Sequence, residues 1–120
     1  MSRYLVLKEN RDFSRIYRKG KSFVSPVLVT YVIKSRVKGQ DTRIGITTGK
    51  KVGNAVKRSR ARRVIRAAYA QLYQRVKPGY DIVFVARTKT AFVKSQVVYT
   101  SMAQQLRRAN ALQTSENDLT

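Results

Sequence analysis

The sequence contains no cysteine, no histidine and no tryptophan. Without cysteine the chain cannot form disulfides or thiolate metal sites, which fits a reducing compartment. Without histidine it lacks the most common general base and the most common metal ligand near neutral pH. These absences argue against a self-contained metalloenzyme.

Acidic residues are also scarce, since six occur against 26 lysines and arginines. Between Phe13 and Ser115 the only carboxylates belong to Asp41 and Asp81, which we expect at turns or strand ends among cations. A two-metal phosphodiesterase site needs several carboxylates or histidines to hold its ions. We therefore expect no nuclease site and no metal site on this chain, and any hydrolysis that it serves would use groups of a partner.

Long apolar runs are missing as well. The N-terminal run from Tyr4 to Leu7 is broken by Lys8 and Glu9, which makes it shorter than the apolar core of a signal peptide. No segment reaches the length of a membrane span. The sequence therefore predicts a cytoplasmic protein.

The dominant property of the chain is positive charge, formally +20. Residues 1–112 hold all 26 cations and four of the acids, so their charge is +22. Such a charge opposes compaction and attracts polyanions by counterion release, which favours a nucleic acid as partner over the alternative of a membrane surface. The 42% of hydrophobic residues suffice for a core. A chain of 120 residues predicts one folded domain.

Apolar periodicity and turn residues predict three helices and a small sheet. The predicted elements are a helix over 11–19 with Asn10 as N-cap and Gly20 at its end, strands over 22–24, 27–33, 43–47 and 80–87, and two further helices. The first of these follows Asn54 and has Ala61, Val64, Ile65, Ala68 and Leu72 on one face, and the second has Val98, Met102, Leu106 and Ala109 on one face. Strands 27–33 and 43–47 are expected to pair as a hairpin, and strand 80–87, apolar on both faces, is expected to lie centrally. The element order predicts a two-layer α+β sandwich. Residues 1–112 form one predicted domain, whose charge favours binding of a nucleic acid, and 113–120 form a predicted disordered tail.

The densest charge lies in residues 50–66, where eight of seventeen residues are basic and none is acidic. These cations are Lys50, Lys51, Lys57, Arg58, Arg60, Arg62, Arg63 and Arg66. In the predicted helix, Arg62 lies four residues from both Arg58 and Arg66, and each such like-charge pair costs a few tenths of a kcal/mol. We infer that a phosphate-bearing partner offsets this repulsion.

Two features of the sequence, the loop before the basic helix and a set of three aromatic residues, each allow two interpretations. The loop before the helix, with Gly53 and the N-cap Asn54, is either a phosphate seat formed by free backbone N–H groups or an ordinary glycine loop. Phe13, Tyr17 and Tyr31 can stack on unpaired bases, a contact worth about 1 to 3 kcal/mol per base. Periodicity alone favours a core position for Phe13 and Tyr17, and alternation does not assign a face to Tyr31.

The basic segment closely resembles the signature of the bacterial ribonuclease P protein subunit. The matching residues are Lys50-Lys51-Val52-Gly53-Asn54-Ala55-Val56, Arg58-Ser59-Arg60, Arg62-Arg63 and Arg66. The likeness extends from about residue 5 to 112 and includes Asn10-Arg11-Asp12-Phe13 with Tyr17 and Gly20, Arg43-Ile44-Gly45-Ile46, and Asp81-Ile82-Val83-Phe84-Val85-Ala86-Arg87. Ser59 departs from the asparagine usual between the two arginines, so no side-chain role is transferred to it. Ala67 stands where the family often has an acid.

The resemblance implies a fold, a function and a set of site residues. The fold is a small mixed four-stranded sheet with three helices and a left-handed βαβ crossover around the signature helix. The function is that of a ribonuclease P subunit, in which an RNA carries the catalytic groups and uses Mg²⁺ to remove the 5′ leader of precursor tRNA. The implied partners are ribonuclease P RNA and that leader, with no membrane and no small-molecule substrate.

The implied site residues form two groups. Residues implied to face the catalytic RNA are Lys50, Lys51, Gly53, Asn54, Arg58, Arg60, Arg62, Arg63 and Arg66. Phe13, Tyr17 and Tyr31 are implied to line a cleft that receives the leader, which reverses the core interpretation of these aromatics. The competing hypotheses are a ribosomal RNA-binding protein, which charge and size support equally, and a protein-only nuclease.

Overall fold

A computed structural model describes residues 4–113 of the chain, so the predicted tail lies outside the described residues apart from Gln113. Five strands form one sheet: β1 (Leu5–Val6), β2 (Lys21–Val24), β3 (Leu28–Lys34), β4 (Arg43–Thr47) and β5 (Tyr80–Ala86). Their order across the sheet is β1-β4-β5-β3-β2. The expected α+β architecture with three helices is confirmed, but the sheet has five strands instead of four because Leu5 and Val6 pair in parallel with the start of β4.

The predicted hairpin of β3 and β4 is wrong. β5 lies between them, antiparallel to β3 and parallel to β4. The apolar run of β5 is buried on both faces, so it belongs at the centre of the sheet, as predicted, and the chain after β3 passes over to the far side of β5. β4, the second helix and β5 thereby form a parallel βαβ unit, whose left-handed crossover stays a prediction.

The three helices are α1 (Asn10–Lys19), α2 (Ala55–Ala70) and α3 (Ser95–Arg108). α1 begins one residue earlier than predicted, so Asn10 is its first residue and Glu9 takes the cap position. Gly20 does end this helix, but at an ordinary φ of −74°. A glycine is needed there for space, since a Cβ would lie 2.5 Å from the Ile16 carbonyl oxygen, which accepts the Gly20 amide.

The apolar stripes predicted for α2 and α3 are buried. They pack against one face of the sheet in the main core, which contains Ile65, Leu72, Phe84, Met102 and Leu106. α1 lies on the opposite face and covers a smaller cluster of Leu7, Ile16 and Val83. Because strand side chains alternate between faces, the residues beside Val83 on neighbouring strands point to the α1 side, and α1 leaves part of that face open.

Candidate nucleic-acid interface

The loop that leads into α2 is held in place by the protein itself. A 3₁₀ turn over Lys50–Val52 buries Val52, while Lys50 and Lys51 are exposed. Asn54 caps α2 as predicted, because its side-chain oxygen accepts the Lys57 amide at 3.0 Å. Gly53 has a φ of +138°, and a Cβ there would lie 2.7 Å from the Lys57 side chain. The backbone therefore explains this glycine, and the phosphate seat stays a prediction.

The arginines of α2 fall into two classes. Arg60 and Arg62 donate to the protein: Arg60 Nε to the Ala91 carbonyl at 2.8 Å, and Arg62 to the Ile46 carbonyl and the Thr48 hydroxyl, each at 3.1 Å. Among the described residues, Arg58, Arg63 and Arg66 have no hydrogen-bonding or ionic partner, and the last two are exposed. The first class fixes α2 to the end of β4 and to the 3₁₀ segment that follows β5, and the second is free to meet a ligand.

The like-charge spacing acts on Arg62. Partial burial lowers the pKa of its guanidinium, and the neighbouring charge of Arg66 lowers it further. The helix thus keeps Arg62 and Arg66 close together although this lowers the pKa of Arg62, and no salt bridge in residues 4–113 joins either of them to a carboxylate. The surface formed by Lys50, Lys51, Gly53, Asn54 and the five arginines of α2 is called here the signature surface, and Ser59 lies exposed within it.

The three predicted stacking aromatics come together between α1 and the sheet. The rings of Phe13 and Tyr17 have centroids 6.5 Å apart, and those of Tyr17 and Tyr31 meet edge to face at 5.1 Å. Tyr17 is 39% exposed, and the other two are partly buried. They are neither a closed core nor separate surface residues, and they form the aromatic cleft of this face.

Two cleft residues were not predicted from the sequence. The hydroxyls of Tyr17 and Thr47 share a hydrogen bond of 2.6 Å. The Phe13 ring lies over Gly45, where a Cβ would come within 2.5 Å of it. The available signal was strand alternation, since Gly45 and Thr47 share one face of β4, but it acquires meaning only once α1 is known to cover that face.

Of the two acids named from the sequence, Asp41 is exposed, whereas Asp81 belongs to an ionic cluster at the start of β5. Asp81 is fully buried and pairs with Arg15 and, through both of its oxygens at 2.9 and 3.0 Å, with Arg43. These hydrogen bonds and the Asp81 charge raise the pKa of Arg43. Asp12 adds a weaker contact to Arg43 at 3.6 Å. This ionic cluster ties the first turns of α1 to β4 and β5.

Other kinds of site are not found in the part of the chain that the structure describes. Residues 4–113 contain no group of three or more acidic, histidine or cysteine side chains that could hold a metal ion. No helix among them is long and apolar enough to cross a bilayer.

The fold and site define a small, basic α+β domain whose cationic helix and aromatic cleft meet at one end of the sheet. Residues 1–110 match the model of the family described as Ribonuclease P. The chain is 46% identical over 85 residues to the ribonuclease P protein component of Clostridioides difficile, which spans 70% of this chain and 73% of the relative. It is 40% identical over 103 residues to that of Clostridium novyi, spanning 86% and 91%.

Solved structures agree with this match. The Staphylococcus aureus RNase P protein superposes with a TM-score of 0.77 at 29% identity, covering 92% of this chain and 99% of that one. The Thermotoga maritima RNase P protein gives 0.73 at 27% identity, covering 85% and 94%. The chain therefore belongs to the ribonuclease P protein family. Membership places it in tRNA processing, as a component of a ribonucleoprotein endoribonuclease with an RNA partner.

Proposed function

We propose that this protein binds the catalytic RNA of ribonuclease P through the signature surface and the 5′ leader of precursor tRNA through the aromatic cleft. One observation carries the proposal: the two surfaces meet at the end of β4. Tyr17 of the cleft bonds Thr47, and Arg62 of α2 bonds Ile46 and Thr48 on either side of it. An RNA bound along α2 therefore lies beside a strand bound in the cleft.

The signature surface suits a folded RNA because the turn and helix that carry its cations are held in place, and none of these cations pairs with a carboxylate in residues 4–113. Arg60 and Arg62 anchor α2, while Arg58, Arg63 and Arg66 remain available for phosphates. Each phosphate contact releases counterions, so affinity should fall steeply with salt.

The cleft suits unpaired nucleotides. Its aromatic rings offer stacking surfaces that accept any base, and the Tyr17 and Thr47 hydroxyls offer hydrogen bonds. A mature tRNA without leader would leave this cleft unused. The cleft therefore supports discrimination of precursor from product.

The chemistry of cleavage is assigned to the RNA partner. Both acids of the ionic cluster, Asp12 and Asp81, are engaged by arginines, and the described residues hold no other cluster for Mg²⁺. The Mg²⁺ ions would be held by the RNA, where they activate water and stabilise the leaving oxygen. We place the complex in the cytoplasm, on the composition of the chain.

Reconstitution tests the proposal. The protein should raise cleavage of precursor tRNA by a ribonuclease P RNA at low Mg²⁺ and moderate salt, and no improvement would refute it. Cleavage by protein freed of RNA would instead establish a protein-only nuclease. Recovery of ribosomal RNA as the sole co-purifying species would favour a ribosomal RNA-binding protein.

The cleft has its own test. Tyr17→Ala should weaken the binding of precursor tRNA with a leader and leave the binding of mature tRNA unchanged. Tyr17→Phe keeps the ring and loses the hydrogen bond to Thr47, so it should retain most of the affinity for the precursor. Loss of one stacked base corresponds to about 1 to 3 kcal/mol, or roughly 5- to 150-fold in affinity. An equal loss for mature tRNA would indicate a packing defect and contradict the leader role.

A further inference from the structure

A cationic groove lies on the flank of α1 that faces away from the aromatic cleft. It is a groove of about 1080 Å³ between α1, the end of β3 and the start of β4. Eight cations line it against two acids, Glu9 and Asp12. Both acids already pair with arginines, Glu9 with Arg11 and Asp12 with Arg43. The groove is therefore strongly positive and shares no lining residue with the signature surface.

Most of these cations have no partner in residues 4–113. Lys8, Arg18, Lys19, Lys34 and Arg36 make neither a hydrogen bond nor an ion pair there, and all are exposed. Like charges on one concave surface raise its potential and concentrate anions in it. On an ordinary solvated surface, acidic side chains alternate with basic ones. This groove has acidic side chains at only two positions.

Arg15 supplies an independent observation. This groove residue is only 7% exposed and pairs with Asp81 through Nη2, yet its Nε and Nη1 atoms are buried without an acceptor. A buried donor without an acceptor costs about 1 to 3 kcal/mol, and more for a charged group. An anion seated in the groove, reached by a small shift of the overlying side chains, would provide the missing acceptor.

The position of the groove indicates which anionic partner can reach it. α1 separates it from the aromatic cleft, because Phe13 and Tyr17 lie with Gly45 and Thr47 while Arg15 and Asp12 lie with Arg43. Both depressions are on the same face of the sheet, whereas α2 packs on the opposite face. A strand that leaves the cleft across α1 would meet the groove before any part of the signature surface.

We infer that this groove binds the phosphate backbone of a further stretch of the same single-stranded leader, upstream of the nucleotides in the cleft. The inference rests on the proposed leader binding. It extends that proposal by giving the protein a second contact that depends on leader length and on charge, with no requirement for particular bases.

The test uses the exposed pair Lys34 and Arg36, whose side chains make no hydrogen bond or ion pair in residues 4–113. The variant carrying Lys34→Gln and Arg36→Gln is compared with a charge-matched control carrying Arg107→Gln and Arg108→Gln at the end of α3, on the opposite face of the sheet. Binding to the reconstituted holoenzyme is measured for mature tRNA and for precursors with a nested series of leader lengths, each over a salt series.

The groove variant should lose about tenfold in affinity for long leaders and shallow the salt slope by about 1.4, since each single-strand phosphate contact contributes roughly 0.7. It should match the control for mature tRNA and for leaders that end within the cleft. A loss independent of leader length would overturn the inference in favour of contact with the catalytic RNA, and equal behaviour of variant and control would overturn it outright. If the wild-type protein itself showed no preference for precursor over mature tRNA, the proposed cleft function would fail instead.

Discussion

Arg62 is the residue of the signature helix for which sequence and structure give different expectations. The sequence places it among the phosphate-binding cations, while the structure also makes it a structural residue that holds α2 to the end of β4. Arg63, its neighbour, has the same charge, and its side chain makes no hydrogen bond or ion pair in residues 4–113. Comparing Arg62→Ala with Arg63→Ala therefore separates the anchoring of the helix from the binding of RNA.

The structural cost of Arg62→Ala follows from its contacts. The substitution removes two hydrogen bonds with a charged donor, to the Ile46 carbonyl and the Thr48 hydroxyl. Charged hydrogen bonds contribute about 1.5 to 3 kcal/mol, and the partial exposure of this pair favours the lower end of that range. Relief of repulsion with Arg58 and Arg66 returns a few tenths of a kcal/mol for each pair. We expect a net loss of about 2 to 2.5 kcal/mol in the free energy of unfolding.

Arg63→Ala should leave stability unchanged within about 0.5 kcal/mol, as for most exposed positions. Both variants lose one phosphate-binding charge, so both should shallow the dependence of catalytic-RNA affinity on salt by roughly 0.7 to 0.9 in the log–log slope. Arg62→Lys keeps the charge but not the forked donor geometry. It should therefore retain the salt slope and lose most of the stabilisation that the two Arg62 hydrogen bonds provide.

Two measurements check this reasoning. Urea unfolding of the free protein gives stability, and RNA binding over a salt series gives the slope. Unchanged stability of Arg62→Ala would refute the anchoring contacts. An unchanged slope for both alanine variants would refute the signature surface as a phosphate site. A slope that changes for Arg63 alone would make Arg62 a purely structural residue.

Three further outcomes are expected. Gly45→Ala should displace the Phe13 ring, because its Cβ would come within 2.5 Å of that ring, and should weaken precursor binding while sparing mature tRNA; unchanged precursor affinity would contradict this geometry. Asp81→Asn should cost about 3 to 5 kcal/mol in urea unfolding, since it leaves buried Arg15 without its carboxylate, and a loss below 1 kcal/mol would contradict it. Burial raises the pKa of Tyr69, so its contribution is complete below the unfolded-state pKa of about 10 and is lost at higher pH as the unfolded chain ionises first. Tyr69→Phe should therefore reduce the loss of stability above about pH 10, measured against Tyr99→Phe, and parallel curves for the two variants would refute this.

Patterns of neighbouring residues in the sequence correctly predicted the three helices and the central strand. The apolar stripe of α2, the cap at Asn54 and the buried run of β5 each depend on neighbours within a few residues, and each appears in the structure. Strand pairing depends on which surfaces compete for burial across the whole chain. That competition placed β5 between β3 and β4 and made a two-residue strand, β1, of the short apolar run near the N-terminus, which was not predicted as a strand.

The same limit applies to the candidate sites. Spacing along α2 identified the cations but not which of them turn inward, because the acceptors of Arg60 and Arg62 come from residues 31 and 16 positions away. The pairing of Tyr17 with Thr47, and the groove on the other flank of α1, likewise depend on where α1 crosses the sheet. Residue type limits the chemistry, and tertiary contacts assign the roles.

The division of the arginines also explains how this chain can fold with a formal charge of +20. Arg15, Arg43, Arg60 and Arg62 are bound by carboxylates or carbonyl oxygens, so part of the charge stabilises the junctions of α1 and α2 with the sheet. Many of the remaining cations lie on the signature surface and in the groove, where mutual repulsion works against the compact state. A ligand that binds only the folded protein stabilises it by mass action. RNA should therefore stabilise this fold through the same unpaired cations that recognise it, and substitutions there should reduce the stabilisation by RNA while leaving the free protein as stable or more stable.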